Sequence, residues 1–221
     1  MRPDHVTLTG VDDFTDLGEL QALSRAFPVE WGILLHREKQ GEGRYPSLDR
    51  IEAVLALGMR CAAHLCGAHA RAAVRGEPLP PEINRILDSV GRIQVNTSER
   101  NIDYGRIEKL AARRGARAIL QCRGEERFPS EPRVDWLFDR SGGRGLRATR
   151  WPVPADGTSF VGFAGGLGPE TIAGPIDAIA AVLPPGTRYW LDMEGAIRTD
   201  DRFDPLKCRS VLEAVYGAAH G

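Results

Sequence analysis

Lysine is nearly missing from this chain of 221 residues: Lys39, Lys109 and Lys207 are the only three among 29 basic residues. A Schiff-base mechanism needs a lysine at the reacting centre, whereas these fall in loop, helix-start or helix positions, which disfavours that chemistry. Cysteine is scarce too. Cys61, Cys66, Cys122 and Cys208 form no C-x-x-C pair and no zinc-ligand spacing, so a disulfide scaffold and a zinc site are both disfavoured, and the four read as reduced thiols in a cytoplasmic protein. An excess of positive charge is lacking as well, with a net charge of −1, which removes the phosphate attraction that nucleic-acid binders use. No apolar run approaches the roughly 18 residues of a membrane span, and the start of the chain carries no signal-peptide pattern. The expectation is a soluble protein with no nucleic-acid or membrane partner and no cofactor.

What the chain does have is alternation. Eight short apolar or β-branched runs read as strands: Val6–Gly10, Trp31–His36, Cys61–Cys66, Arg92–Thr97, Ala118–Cys122, Val134–Asp139, Phe160–Gly165 and Tyr189–Met193. Helical patterns lie between them at Asp13–Phe27, Ser47–Leu57, Ile102–Arg114, Pro169–Leu183 and Asp204–Tyr216. Alternating strands and helices imply a parallel sheet, and eight strands predict a closed (β/α)8 barrel over residues 1–221 rather than an open doubly wound sheet. The segments after strands 5 and 6, broken by Pro129, Pro132, Pro152, Pro154 and a run of glycines, predict shortened or missing helices there.

Sites in such barrels lie at the C-terminal ends of the strands. Candidates at those positions are Thr9, His36, Arg44, His64, Cys66, Asn96, Arg123, Asp139, Asp192 and Glu194. After strand 7, Ala164-Gly165-Gly166-Leu167-Gly168-Pro169 reads as a glycine turn into a helix, a pattern whose backbone N–H groups can cradle phosphate. A tight structural turn is the competing reading, and the G-x-G-x-x-G dinucleotide pattern is incomplete. Gly142-Gly143-Arg144-Gly145 after Asp139 forms a second glycine loop, and Gly195-Ala196 after strand 8 could add donors to the same anion. His36 and His64 come singly, with no metal-ligand cluster. Cys66 beside His64 leaves open a nucleophilic thiol or a packed one.

These segments, in this order, resemble phosphoribosylanthranilate isomerases, a family of (β/α)8 enzymes. The resemblance rests on Asp139 with its G-G-x-G loop, the A-G-G-L segment Ala164–Leu167 with Pro169, Asp192 and Gly195 on strand 8, Lys207 opening the last helix, and Gly43-Arg44-Tyr45-Pro46-Ser47 after strand 2. It implies a phosphate site at Gly165, Gly166, Leu167, Gly195 and Ala196, and substrate contacts at Arg44, Asp192, Gly142 and Gly143, with the arginine meeting an aromatic carboxylate. It also implies Asp139 as a general base.

The departures from the family are specific. Its catalytic cysteine on strand 1 is here Thr9, whose hydroxyl cannot do a thiol's proton chemistry near neutral pH. Its Q-L-H-G segment on strand 4 is here Gln94-Val95-Asn96-Thr97, and Met193-Glu194 replaces a serine pair. A proton donor would then come from His64, Cys66 or Glu194. Two functions follow: an isomerase or related proton-transfer enzyme acting on a phosphorylated sugar derivative, or a phosphosugar-binding homologue without turnover.

Overall fold

A computed structural model describes residues 1–124, 126–140, 148, 150–155 and 160–218. Eight parallel strands close on themselves in sequence order, β1 (His5–Thr9), β2 (Val29–His36), β3 (Cys61–Cys66), β4 (Arg92–Val95), β5 (Arg117–Cys122), β6 (Asp135–Phe138), β7 (Phe160–Phe163) and β8 (Arg188–Met193). Closure comes from β1 pairing with β8, His5 against Trp190 through Leu8 against Met193. The strands were legible because each is buried on both faces, which gives short apolar runs bounded by loops.

Among the described residues seven helices pack outside: α1 (Leu17–Ala26), α2 (Leu48–Leu55), α3 (Gly67–Arg75), α4 (Pro81–Leu87), α5 (Tyr104–Ala112), α6 (Ala173–Val182) and α7 (Pro205–Tyr216). Asp16, Ser47, Asp103 and Asp204 each accept backbone N–H bonds at a helix start, satisfying donors that the first turn leaves free. Helices α3 and α4 lie in a stretch where the sequence reading placed none. Their signals were an alanine-rich run ended by Gly76 in the left-handed region (φ 74°) and Pro81 in the first turn of α4. Helix α6 starts later than expected. Pro169 belongs to a turn closed by Thr171 N–H donating to the Gly168 carbonyl (3.0 Å), so the helix N-terminus does not abut Gly165 and Gly166.

Among the described residues no helix follows β5 or β6, as the proline and glycine content implied. The outward faces of β6 and β7 still need cover, since Phe138 and Phe163 are fully buried. Loop aromatics supply it: Phe128 packs edge-on against Phe163 (5.4 Å between ring centroids), and Trp151 against both Phe138 and Phe163 (5.9 and 5.7 Å). The two loops are tied by Phe128 N–H to the Val153 carbonyl and Val153 N–H to the Glu126 carbonyl, each 3.0 Å.

A short hairpin that the sequence reading missed, β9 (Arg198–Thr199) with β10 (Arg202–Phe203), follows β8. Asp200 and Asp201 turn it with φ of 50° and 55°, a region that aspartate tolerates better than most residues.

Candidate active site

The barrel axis carries two kinds of filling. A small apolar cluster of Ile119, Leu137, Ala164 and Trp190 occupies the β5–β8 side, and Gly162 is required there because a Cβ would lie 2.2 Å from the Trp190 ring. On the β1–β4 side the filling is polar. Glu30 is nearly inaccessible, and burial alone would push its carboxyl up. Arg92, 3.2 Å away, together with His5 and the Thr7 hydroxyl (2.9 Å), outweighs that and holds its pKa at about 2. Burial lowers the pKa of His5 against the opposing pull of Glu30, 3.6 Å from its Nε2. The Arg92 guanidinium also lies 4.1 Å from the Trp190 ring centroid, a cation–π contact that joins the two halves.

Above this layer, at the C-terminal ends of the strands, lies a cavity of about 520 Å³. His64, Gln94, Asn96, Gln121, Asp139 and Asp192 bring hydrogen-bonding side chains to it from five strands or strand ends, and Arg44 and Glu194 stand at its rim. Ala164 to Leu167 and Gly195-Ala196 form one wall. Gly165 and Gly166 both have positive φ (107° and 68°), and the N–H groups of Gly165, Gly166 and Leu167 have no acceptor among the described residues, an arrangement able to receive an anion. The β7 and β8 loops touch at Gly168, where a Cβ would lie 2.4 Å from that of Ala196.

Asp192 is strongly perturbed. Burial pushes its carboxyl well above the usual carboxylate range; Glu194 and Glu30 push the same way, against the opposing pull of the Thr9 hydroxyl and Arg92. Thr9 Oγ1 donates to Asp192 Oδ1 at 3.0 Å, while Oδ2 has no hydrogen-bond partner. A donor already on Oδ1 leaves Oδ2 as the oxygen that carries the acid proton. Thr9 is packed over Gly32, where a Cβ would meet its hydroxyl at 2.2 Å, and it does not line the cavity.

The other sequence candidates divide. His64 is buried, which lowers its pKa to about 4, so at neutral pH it offers a neutral N–H rather than an imidazolium proton. Its Nδ1 lies 3.4 Å from Gln94 Nε2, which puts the ring proton on Nε2, an atom without a partner. Cys66 stands outside the cavity lining. Burial raises its thiol to about 11, which disfavours the thiolate, and its sulfur accepts from Asn96 Nδ2 at 3.3 Å. Glu194 accepts from Arg44 at 2.6 Å and so is engaged as an ion pair. His36 packs against Gly67 and Tyr45 instead of the cavity, Arg123 lies outside the lining, and Lys207 Nζ donates to the Arg198 carbonyl at 2.7 Å. Gly142 and Gly143 lie outside the described residues. Asp139 lines the cavity and accepts from Gln121 at 3.4 Å. Gln121 was not singled out from the sequence, although strand alternation from Ile119 puts it on the inner face.

No protein-family model matches the chain, and no curated protein matches it in sequence. Solved structures do. Phosphoribosyl anthranilate isomerase from Thermotoga maritima superposes with a TM-score of 0.64 at 12% identity, covering 99% of this chain and 100% of its own. The enzyme from Thermus thermophilus gives 0.63 at 15%, covering 97% and 98%. That from Pyrococcus furiosus gives 0.60 at 14%, covering 97% and 99%. This is a likeness of fold along the whole chain, an α/β barrel of eight parallel strands.

Proposed function

We propose that this barrel is a proton-transfer enzyme, an isomerase acting on a phosphorylated sugar derivative, with Asp139 as general base and Asp192 as its acid. The observation that carries the reading is the pair of carboxyl groups, Asp139 and Asp192, on one cavity, with Asp192 Oδ2 buried and without a hydrogen-bond partner and burial pushing the Asp192 carboxyl above the usual carboxylate range. A buried carboxyl held above the usual range suits the acid role, and a second carboxyl on the same cavity can serve as the base.

In this reading the phosphate sits on the N–H groups of Gly165, Gly166 and Leu167, with Gly195 and Ala196 across from them. Asp192 protonates the ring oxygen of the sugar and opens it. Asp139 then takes the proton from the carbon next to the resulting carbonyl or imine. As the enol collapses to the ketone, its hydroxyl proton returns to Asp192 and the proton on Asp139 passes to the neighbouring carbon, so both groups end as they began. Thr9, standing where the resembling family has its cysteine, is a positioning residue that fixes which oxygen of Asp192 carries the proton.

A panel of aldose and ketose phosphates tests this by thermal stabilisation and by conversion. Asp139→Asn and Asp192→Asn should each reduce turnover by about 10²–10⁴-fold while ligand still stabilises the protein. Gly195→Val probes the phosphate wall, because a Cβ at Gly195 meets no protein atom within 4 Å, whereas valine at Gly166 would be strained by its φ of 68°. Stabilisation by phosphosugars with no conversion of any of them would make the protein a binding homologue, and absence of stabilisation would remove the phosphate site.

A further inference from the structure

In this chain Arg44 is already engaged at both ends of its guanidinium. Its Nη1 donates to Glu194 Oε1 at 2.6 Å and its Nη2 to Asp201 Oδ1 at 3.1 Å. The second carboxylate is held in place rather than met by chance. Asp201 belongs to the β9–β10 turn, and Arg198, buried beneath it, donates to Asp201 Oδ1 (3.3 Å) and the Asp201 carbonyl. Arg198 is in turn fixed by Asp12 (2.8 Å) and the Gly10 carbonyl (2.5 Å), and Asp12 also accepts from Phe203 N–H at 2.7 Å. Among the described residues lining the cavity Arg44 is the one cationic side chain, beside the carboxyl groups of Asp139, Asp192 and Glu194. A carboxylate entering with the ligand would therefore meet Asp139 and Glu194 and, among the described lining residues, no cation that is not already paired.

The remaining recognition groups are neutral. His64 Nε2–H is a buried donor and Gln94 Oε1 a buried acceptor, both without partners, and Asn96 and Gln121 add amides. A hydroxyl answers such a donor and acceptor at once, since it can accept from one and donate to the other. No Phe, Tyr or Trp side chain lines the cavity among the described residues, so a planar ring would find no large aromatic face there to stack on.

We infer that the non-phosphate half of the ligand is an uncharged, hydroxyl-bearing group, and that the Arg44–Glu194–Asp201 cluster excludes an aromatic carboxylate. This rests on the phosphate-site reading above and deepens it by naming the substrate class. Titration calorimetry with inorganic phosphate, ribose 5-phosphate and a reduced, non-isomerisable analogue of N-(5′-phosphoribosyl)anthranilate tests it. Ribose 5-phosphate should bind at least about tenfold more tightly than either of the others. Glu194→Gln removes one negative charge and replaces the ion pair on Nη1 with a weaker neutral acceptor, and should narrow the gap between the aryl carboxylate and ribose 5-phosphate about tenfold. Tighter binding of the aryl carboxylate by the wild-type protein overturns the proposal, as does an unchanged ratio in Glu194→Gln. In both of those cases phosphate-bearing ligands still bind, so the phosphate site survives. If neither ribose 5-phosphate nor inorganic phosphate binds, the phosphate site and the proposal fall together.

Discussion

Strands β1–β4 face the barrel axis with Thr7, Thr9, Glu30, His64, Arg92 and Gln94, whereas β5–β8 face it with Ile119, Leu137, Ala164 and Trp190 and keep their inward polar groups near strand ends. The outer layers differ too. Every strand of the first half is followed by helix, while among the described residues none follows β5 or β6 and loop aromatics cover β6 and β7. The contrast teaches how this barrel reconciles stability with a polar cavity. In the first half, charge low on the axis is answered within the protein by Glu30, Arg92 and the Trp190 ring, while above it His64 and Gln94 keep unpartnered atoms beside the cavity. Apolar packing in the second half fills the rest of the axis and leaves its loops to shape the mouth.

The largest effect should come from breaking the charged layer. Arg92→Met leaves Glu30 buried without its cation and should cost about 3–5 kcal/mol in urea unfolding, and adding Glu30→Gln should recover part of that. A cost below about 1 kcal/mol would mean that the polar filling does not depend on the pair. In the second half, Phe128→Ala should destabilise by about 3 kcal/mol although it changes a loop residue, because it uncovers Phe163. A loop position of no structural weight would show almost no change.

The smallest effect concerns the boundary between the halves, at Asp192, and appears as a pH dependence. A carboxyl whose folded pKa lies above its usual 3.8 binds its proton more tightly in the native state. The stability it contributes is full at acid pH and is lost as the pH rises from near 3.8 through the raised value. Asp192→Asn removes that loss, so the melting temperature of the variant should gain on the wild type as the pH rises above about 4. A constant difference across that range would mean that Asp192 ionises normally, and the acid role proposed for it would go with it.

Much of the molecule was legible in the chain itself. Two-sided burial writes parallel strands as short apolar runs, capping residues mark Ser47 and Asp204 as helix starts, and prolines after β5 and β6 exclude helices there. The same alternation put Asp139 and Asp192 at the barrel mouth, because residues two apart on a strand share a face. What the sequence did not reveal is which groups answer one another. Arg44 meets Glu194 and Asp201 across 150 and 157 residues, and Thr9 meets Asp192 across 183. No local spacing encodes such pairs; they exist only once the barrel closes β8 onto β1. Closure also decides protonation, since it removes water from Asp192, His64 and Glu30 alike and leaves each group's neighbours to set which carries charge. The sequence by itself therefore determined the periodicity, the fold and the positions of the candidate groups. Only the tertiary structure decided their partners and their charge, because both depend on distances and burial that arise between segments far apart in the chain.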